Sequence, residues 1–234
     1  MKRRSMLVGS AFAGVGVALG GLPKAADAAQ LSLYVFLHSL LEARALSRLF
    51  EAALPGVAVW VLTRSRDFSE VRTRNPDAVV ALAPVLAANG FTPVLQGYKG
   101  GQPSESYVLL STRSVTASSV KSVGAVDILG RREMVQVVSS LLGGNEPPVA
   151  PVTKLADLLA LLQLGQVEAV LLPARHANAL ISRTRLSLMV TRLGGKGVGL
   201  PAFYANSAAG QRIKGAFADL PSSLLQEIGV DSWR

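Results

Sequence analysis

Leu31–Leu62, LSLYVFLHSLLEARALSRLFEAALPGVAVWVL, reads as strand, helix, strand. Leu31 to Leu37 is rich in β-branched and aromatic residues. Ser39 to Ala53 sets Leu40, Leu41, Ala45, Leu49 and Ala52 at helical spacing until Pro55-Gly56 stops it, and Val57 to Leu62 is again a strand. A strand that returns after one helix predicts a parallel pair, which needs helices over its faces.

The same alternation continues outward. Asp67 to Arg74 has short helical character, Asn75-Pro76 breaks it, and Asp77 to Leu82 (DAVVAL) is a third strand before a short helix from Pro84 to Asn89. Thr92 to Gly97 and Ser106 to Thr112 are strands joined by the turn-rich Tyr98–Pro103, which suits a hairpin or a crossing between lobes. A second series follows: strand Val123–Ile128, helix Arg131–Leu142, loop Gly143–Pro151, then helix Thr153–Leu164 with Thr153 as N-cap and Gly165 as stop. Strand Glu168–Leu172, helix Ala174–Arg183 and strand Leu186–Leu193 complete it. Gly194 to Gly199 is a glycine-rich link, Leu200 to Tyr204 is extended, and a helix over Ser207–Leu220 closes the chain. No repeat of fixed period appears. The expectation is an α/β chain of two lobes, each a mostly parallel sheet flanked by helices, joined by extended hinge strands. Lobe 1 would comprise 29–97 and 198–234, and lobe 2 would comprise 98–197 with the hinge crossings.

Residues 1–28 have a different character. Lys2-Arg3-Arg4, the apolar run Met6–Leu22 and Ala26-Asp27-Ala28 supply the charged, apolar and small-residue regions that translocation and signal cleavage require. An export signal cleaved after Ala28 and a soluble periplasmic product are expected. The paired arginines and the glycine-diluted apolar run resemble the twin-arginine pattern, the general secretory route being the alternative. An uncleaved anchor is the bland reading, but this run is marginal for a hydrocarbon core of roughly 30 Å.

Residues 29–234 suffice for one large domain or two small lobes. The whole chain carries a net charge of +9, and removing 1–28 leaves a moderate excess of +6 that favours an anionic ligand or surface. Basic residues are scattered without interleaved aromatics, which argues against nucleic-acid binding. With no cysteine, disulfides, thiolate metal sites, cysteine nucleophiles and a lipid-modified cysteine are excluded. No Gly-x-Ser-x-Gly elbow occurs, and His38 and His176 have no evident partners for hydrolysis or zinc binding. No enzyme, metal or cofactor is expected.

Four segments carry a resemblance: Asp77–Leu86 (DAVVALAPVL), Pro93–Thr112 with its glycine-turned strand pair, Val123–Met134 (VGAVDILGRREM) and Gly165–Ala174 (GQVEAVLLPA). In this order they resemble the type-2 periplasmic substrate-binding fold, in the branch of phosphate- and phosphonate-binding components of ABC importers. The chain is shorter than that family, its second lobe trimmed around Gly143–Pro151, and it has no match for the acidic pair that holds an amine. The resemblance implies a receptor that closes two lobes on a small anion and presents it to a membrane permease. A periplasmic sensor or accessory protein that reports to a membrane kinase or an assembly system is the alternative, and an enzyme on the same scaffold is a third reading.

In open α/β sheets ligands sit beyond the carboxyl ends of the strands, where helix N-termini offer free N–H groups. That rule nominates His38 and Ser39 after the first strand, Ala83, Pro84 and the N–H of Val85 after the third, and Gly130, Arg131 and Arg132 after VGAVDI. Arg175, followed by His176, holds the same place after EAVLL. Glycine at 130 permits close approach, and the arginines can clasp an oxyanion bidentately. Tyr98 and Tyr107 flank the glycine turn and Tyr204 lies on the return, where each could cover a ligand. Each residue also has a plain alternative: a cap for Ser39, a solvated loop for His38, a solvated helix face for the arginines, hinge packing for the tyrosines. Trp60 reads as core and Trp233 as cover over a lobe. A monomer is expected.

Overall fold

A computed structural model describes residues 31–234; the expected export signal over 1–28 lies outside the described residues. The chain begins β1 (Leu31–Phe36), α1 (Ala43–Ala53), β2 (Val57–Val61), α2 (Ser65–Ser69), β3 (Ala78–Leu82), α3 (Ala83–Ala88) and β4 (Leu95–Tyr98). It continues β5 (Ser104–Ser111), β6 (Val123–Val126), α4 (Arg131–Leu141), β7 (Val149–Val152), α5 (Asp157–Gln163), β8 (Ala169–Pro173), α6 (Ala174–Ile181) and β9 (Met189–Gly199). The return is β10 (Pro201–Ala205), α7 (Ala208–Ala216), α8 (Ser222–Ile228) and β11 (Ser232–Trp233).

These strands form two sheets. One has six strands in the order β11-β4-β10-β3-β1-β2, the other five in the order β7-β6-β8-β5-β9. The chain passes between them at Lys99–Pro103 and again at Leu200, so Tyr98–Pro103 is a crossing and not a hairpin. Both sheets are mixed, where mostly parallel sheets were expected. The βα repeats pair in parallel (β1 with β2 and β3, β6 with β7 and β8), whereas β5, β9, β10 and β11 join antiparallel. Strands β5 and β10 each enter directly from a crossing between the lobes and so run against the parallel strands beside them, whereas β9 and β11 arrive within their own sheets and pair antiparallel with β5 and β4.

Alternation along β1 divides the core. Leu33 and Val35 face Leu46 and Phe50 of α1 and Leu224 and Ile228 of α8, in a cluster where Phe203 meets Phe217 at 4.4 Å. Tyr34 and Phe36 face the other way, into an apolar cluster that runs on without interruption to Leu109, Val126 and Leu171 of the second sheet. Burial therefore joins the lobes as well as filling each one.

Local differences have physical reasons. Helix α1 begins at Ala43, not Ser39, because the Ser39 hydroxyl takes the Leu41 N–H (2.9 Å) and donates to Glu227 (2.6 Å), closing a turn ahead of the helix. The stretch around Gly143–Pro151 ends in a strand, β7, which tolerates Pro151 because it lies at the sheet edge. Helix α5 starts at Asp157, so Thr153 is not its cap. Strand β9 runs through the glycines of 194–199, with a register shift opposite Ser106–Val108. Gly197 lies so close that a Cβ would stand 2.5 Å from the Glu105 carbonyl oxygen. Helix α8 and strand β11 extend the chain past Leu220. Trp60 is not core: on edge strand β2 it is 45 % exposed and stacks on Tyr34 at 5.2 Å.

Because Phe203, on β10, is fully buried against Phe217, Phe203→Ala should lower the free energy of unfolding by about 3–5 kcal/mol in urea titrations, while Trp60→Ala should cost less than about 1.5 kcal/mol.

Candidate ligand site between the lobes

The loop after β1 and the segment before α5 meet across the junction of the lobes. Between them lies a cavity of about 60 Å³, lined by Phe36, His38, Ser39, Leu62, Thr63, Ile128, Thr153 and Lys154 among others. Thr153 also borders an open recess of about 530 Å³ lined by Arg64, Ser65, Arg66 and Asp127; because the two meet at this residue, the recess is taken as the mouth of the cavity. Two contacts latch the mouth: Lys154 Nζ lies 3.0 Å from the Glu42 carboxylate, and the Ser65 hydroxyl donates to Asp127 at 3.0 Å.

Behind the cavity stands a buried polar cluster. His38 Nδ1 and the Tyr107 hydroxyl share a 3.3 Å hydrogen bond, and Arg175 donates through Nη2 to the His38 carbonyl at 3.3 Å. The Arg175 guanidinium forms an ion pair with Glu105; the two side chains are only 10 % and 7 % exposed. Burial pushes the Glu105 carboxyl up from its ordinary range, and the neighbouring guanidinium pulls against that shift. Burial holds His38 at a pKa of about 3, with the charge of Arg175 adding to the effect, and the same two causes bring His176 to about 3. Both rings are therefore neutral at pH 7. Burial likewise keeps the Tyr107 phenol protonated.

Of the residues nominated by sequence, His38, Tyr107 and Arg175 converge here, and Ser39 lines the cavity. The helix starts do not act as open donors. The Ala83 N–H is bonded to the Leu200 carbonyl (3.1 Å), and the Gly130 N–H to Asp127 (2.6 Å) with Gly130 at φ 96°. Ala83 and Pro84 pack against Gly199, and Val85 is buried in the core. Arg131 and Arg132 lie exposed on α4, away from the cavity lining. Tyr98 carries the Arg234 guanidinium over its ring at 4.9 Å, and Tyr204 packs on Phe91 at 4.8 Å, so neither covers the seam. A gap lined by free amides is replaced by a closed apolar seam with charged side chains at its two ends.

No family model matches the chain, and no curated protein matches its sequence. Solved structures do. The GluR0 ligand-binding core in complex with L-glutamate is 20 % identical, with a TM-score of 0.57 over 87 % of this chain and 98 % of that one. XAC2383 from Xanthomonas citri, bound to ATP, is 11 % identical with a TM-score of 0.57 over 87 % and 90 %. The BvgS VFT2 domain of Bordetella pertussis is 13 % identical with a TM-score of 0.57 over 85 % and 91 %; the match to the BvgS periplasmic domain spans 42 % of that longer chain. This is the two-lobed, type-2 periplasmic-binding-protein fold.

Sequence reasoning nominates neither Arg64 nor Arg66 of this recess nor Glu105, and it gives Thr153 only as a helix cap. Arg64 and Arg66 follow an apolar strand as Thr153 follows β7, a signal present in the sequence. Glu105 shares the buried face of β5 with Tyr107, but nothing local to the sequence shows that its partner there is Arg175, seventy residues away.

The buried histidines set a pH dependence. Each has a folded pKa well below its ordinary 6.5, so between about pH 3 and 6.5 the unfolded chain binds more protons than the folded one. Their contribution to stability is complete above pH 6.5 and lost as pH falls toward 3, against a smaller opposite effect from Glu105. Urea unfolding at stepped pH should show stability declining through this window, and His38→Gln should lower the slope by about one proton.

Proposed function

We propose that this protein is a periplasmic solute receptor, exported by way of residues 1–28, that holds a small anion of the phosphate, phosphonate or sulfonate type between its lobes. The observation that carries the reading is the cavity of about 60 Å³ enclosed by both lobes behind a mouth bearing Arg64 and Arg66. At about 10–15 Å³ per water-sized group, that space suits a ligand of roughly four to six non-hydrogen atoms. Arg64 makes no ion pair among the described residues, and Asp127 already accepts from Ser65 and the Gly130 N–H. Arg66 pairs with Asp67 at 3.6 Å, so Arg64 is the cation at the mouth that a guest can take. Thr63, Thr153, Ser39 and His38 supply the polar lining, while the spent helix starts supply none. Closure by hinge motion about the two crossings presents a surface made by both lobes to a membrane permease of an ABC importer. Among the described residues no helix is long and apolar enough to cross a membrane.

A sensing role has one observation in its favour. In the BvgS periplasmic domain the same fold occupies less than half of a longer chain, an arrangement suited to passing a closed state onward. A permease and ATPase encoded beside this protein would favour transport, a histidine kinase sensing.

The test is a thermal-shift panel of phosphate, methylphosphonate, methanesulfonate, sulfate and acetate. One of these anions should raise the melting temperature of the wild type, since only the folded state offers the site. Ile128→Trp, which fills the cavity, should abolish that shift, Arg64→Ala should reduce it, and Arg131→Ala should leave it intact. No response to any anion, or an undiminished shift in Ile128→Trp, would contradict the assignment.

A further inference from the structure

A second recess lies at the hinge, of about 500 Å³, lined by Lys99, Gln102, Ser104, Glu105, Ser106, Ala174, Arg175, Leu193 and Gly197. It shares no residue with the seam cavity or its mouth. Its floor is the Arg175–Glu105 pair, and its walls are the Lys99–Gln102 turn and the start of β5. Charges there do not cancel: Lys99 and Arg175 face one carboxylate, and His38 and His176 beyond them are neutral. Asp231 turns to the Gly100 N–H (2.8 Å) on the outer side of the turn. Arg175 Nε, buried, has no hydrogen-bond partner among the described residues. A planar guanidinium pairs best with a carboxylate that takes two parallel N–H bonds, which Glu105, tethered to β5 and holding Nη1, does not provide.

The geometry points to a second binding site, in which a small free carboxylate enters the hinge recess and takes the Arg175 guanidinium in place of Glu105. Lys99 supplies the second positive contact, and the Ser104 and Ser106 hydroxyls and the Gln102 amide can donate to the outer oxygens. Recesses of this volume accommodate ligands well beyond acetate in size. A dicarboxylate such as succinate can span from Arg175 to Lys99. Because Arg175 also bonds to the His38 carbonyl of the first lobe, occupancy of the recess acts on the contact that joins the lobes.

Calorimetric titration of succinate into the full-length mature chain at pH 7, in a carboxylate-free buffer, tests this. Wild type should bind succinate, Glu105→Gln should bind it about tenfold more tightly because the tethered competitor has lost its charge, and Lys99→Ala about tenfold more weakly. Ile128→Trp should bind succinate as wild type does, which separates this site from the seam and lets either fail alone. Should Glu105→Gln not fold, Lys99→Ala decides, its position being exposed. Failure of succinate to bind the wild type, or equal affinity in Lys99→Ala, would overturn the proposal.

Discussion

A guanidinium buried where two lobes meet must be neutralised, and much of this structure can be read as the means of doing so. Arg175 stands at the start of α6 and reaches Glu105, the second residue of the hinge strand β5, and the carbonyl of His38 in the loop after β1. Removing one member of such a pair typically costs about 3–5 kcal/mol, because the charge left behind is desolvated. The lobes are therefore held in register by a polar constraint that an apolar seam alone would not impose. Gly229 makes room for it, since a Cβ there would stand 2.7 Å from the guanidinium carbon.

Around that point the apolar cluster does the bulk of the adhesion and the mouth contacts do little. Lys154–Glu42 is a surface ion pair, with side chains 47 % and 76 % exposed, worth at most about 1 kcal/mol. An interface of this construction, firm at the hinge and weakly latched at the rim, opens at the rim. The seam cavity lies behind that rim, and the hinge recess lies at the end that moves least. On the proposed reading, a ligand in the cavity would report on opening and one in the recess would act on the pivot.

How much of this was legible in the sequence follows from range. The βα repeats were, because β-branched runs and helical spacing are local properties, and they placed most strands of both sheets, though not β7 or β11, and left Tyr98–Pro103 open between a hairpin and a crossing. Helix α1's late start was not, because the competing partner of Ser39 is Glu227, at the far end of the chain. The mixed character of the sheets was missed for the same reason: strand direction depends on where the chain re-enters. Of the nominated residues, His38 and Arg175, named for following strand ends, and Tyr107, named for flanking the glycine turn, come together in one cluster. Arg131 and Arg132, named by the strand-end rule, and Tyr98 and Tyr204, named for the turn and the return, stand elsewhere, since such a position is only as useful as the partner element opposite it. The free amides expected at Ala83 and Gly130 are consumed by Leu200 and Asp127, contacts that no periodicity reveals.

The account rests on two lobes that separate and close on a guest. The chain contains no cysteine, so spin labels attached at Arg48→Cys on α1 and Arg132→Cys on α4 report one interlobe distance. Pulsed electron–electron double resonance should give two distances without ligand, with the shorter gaining population when an anion that raises the melting temperature is added. A single distance, indifferent to every anion tried, would contradict it.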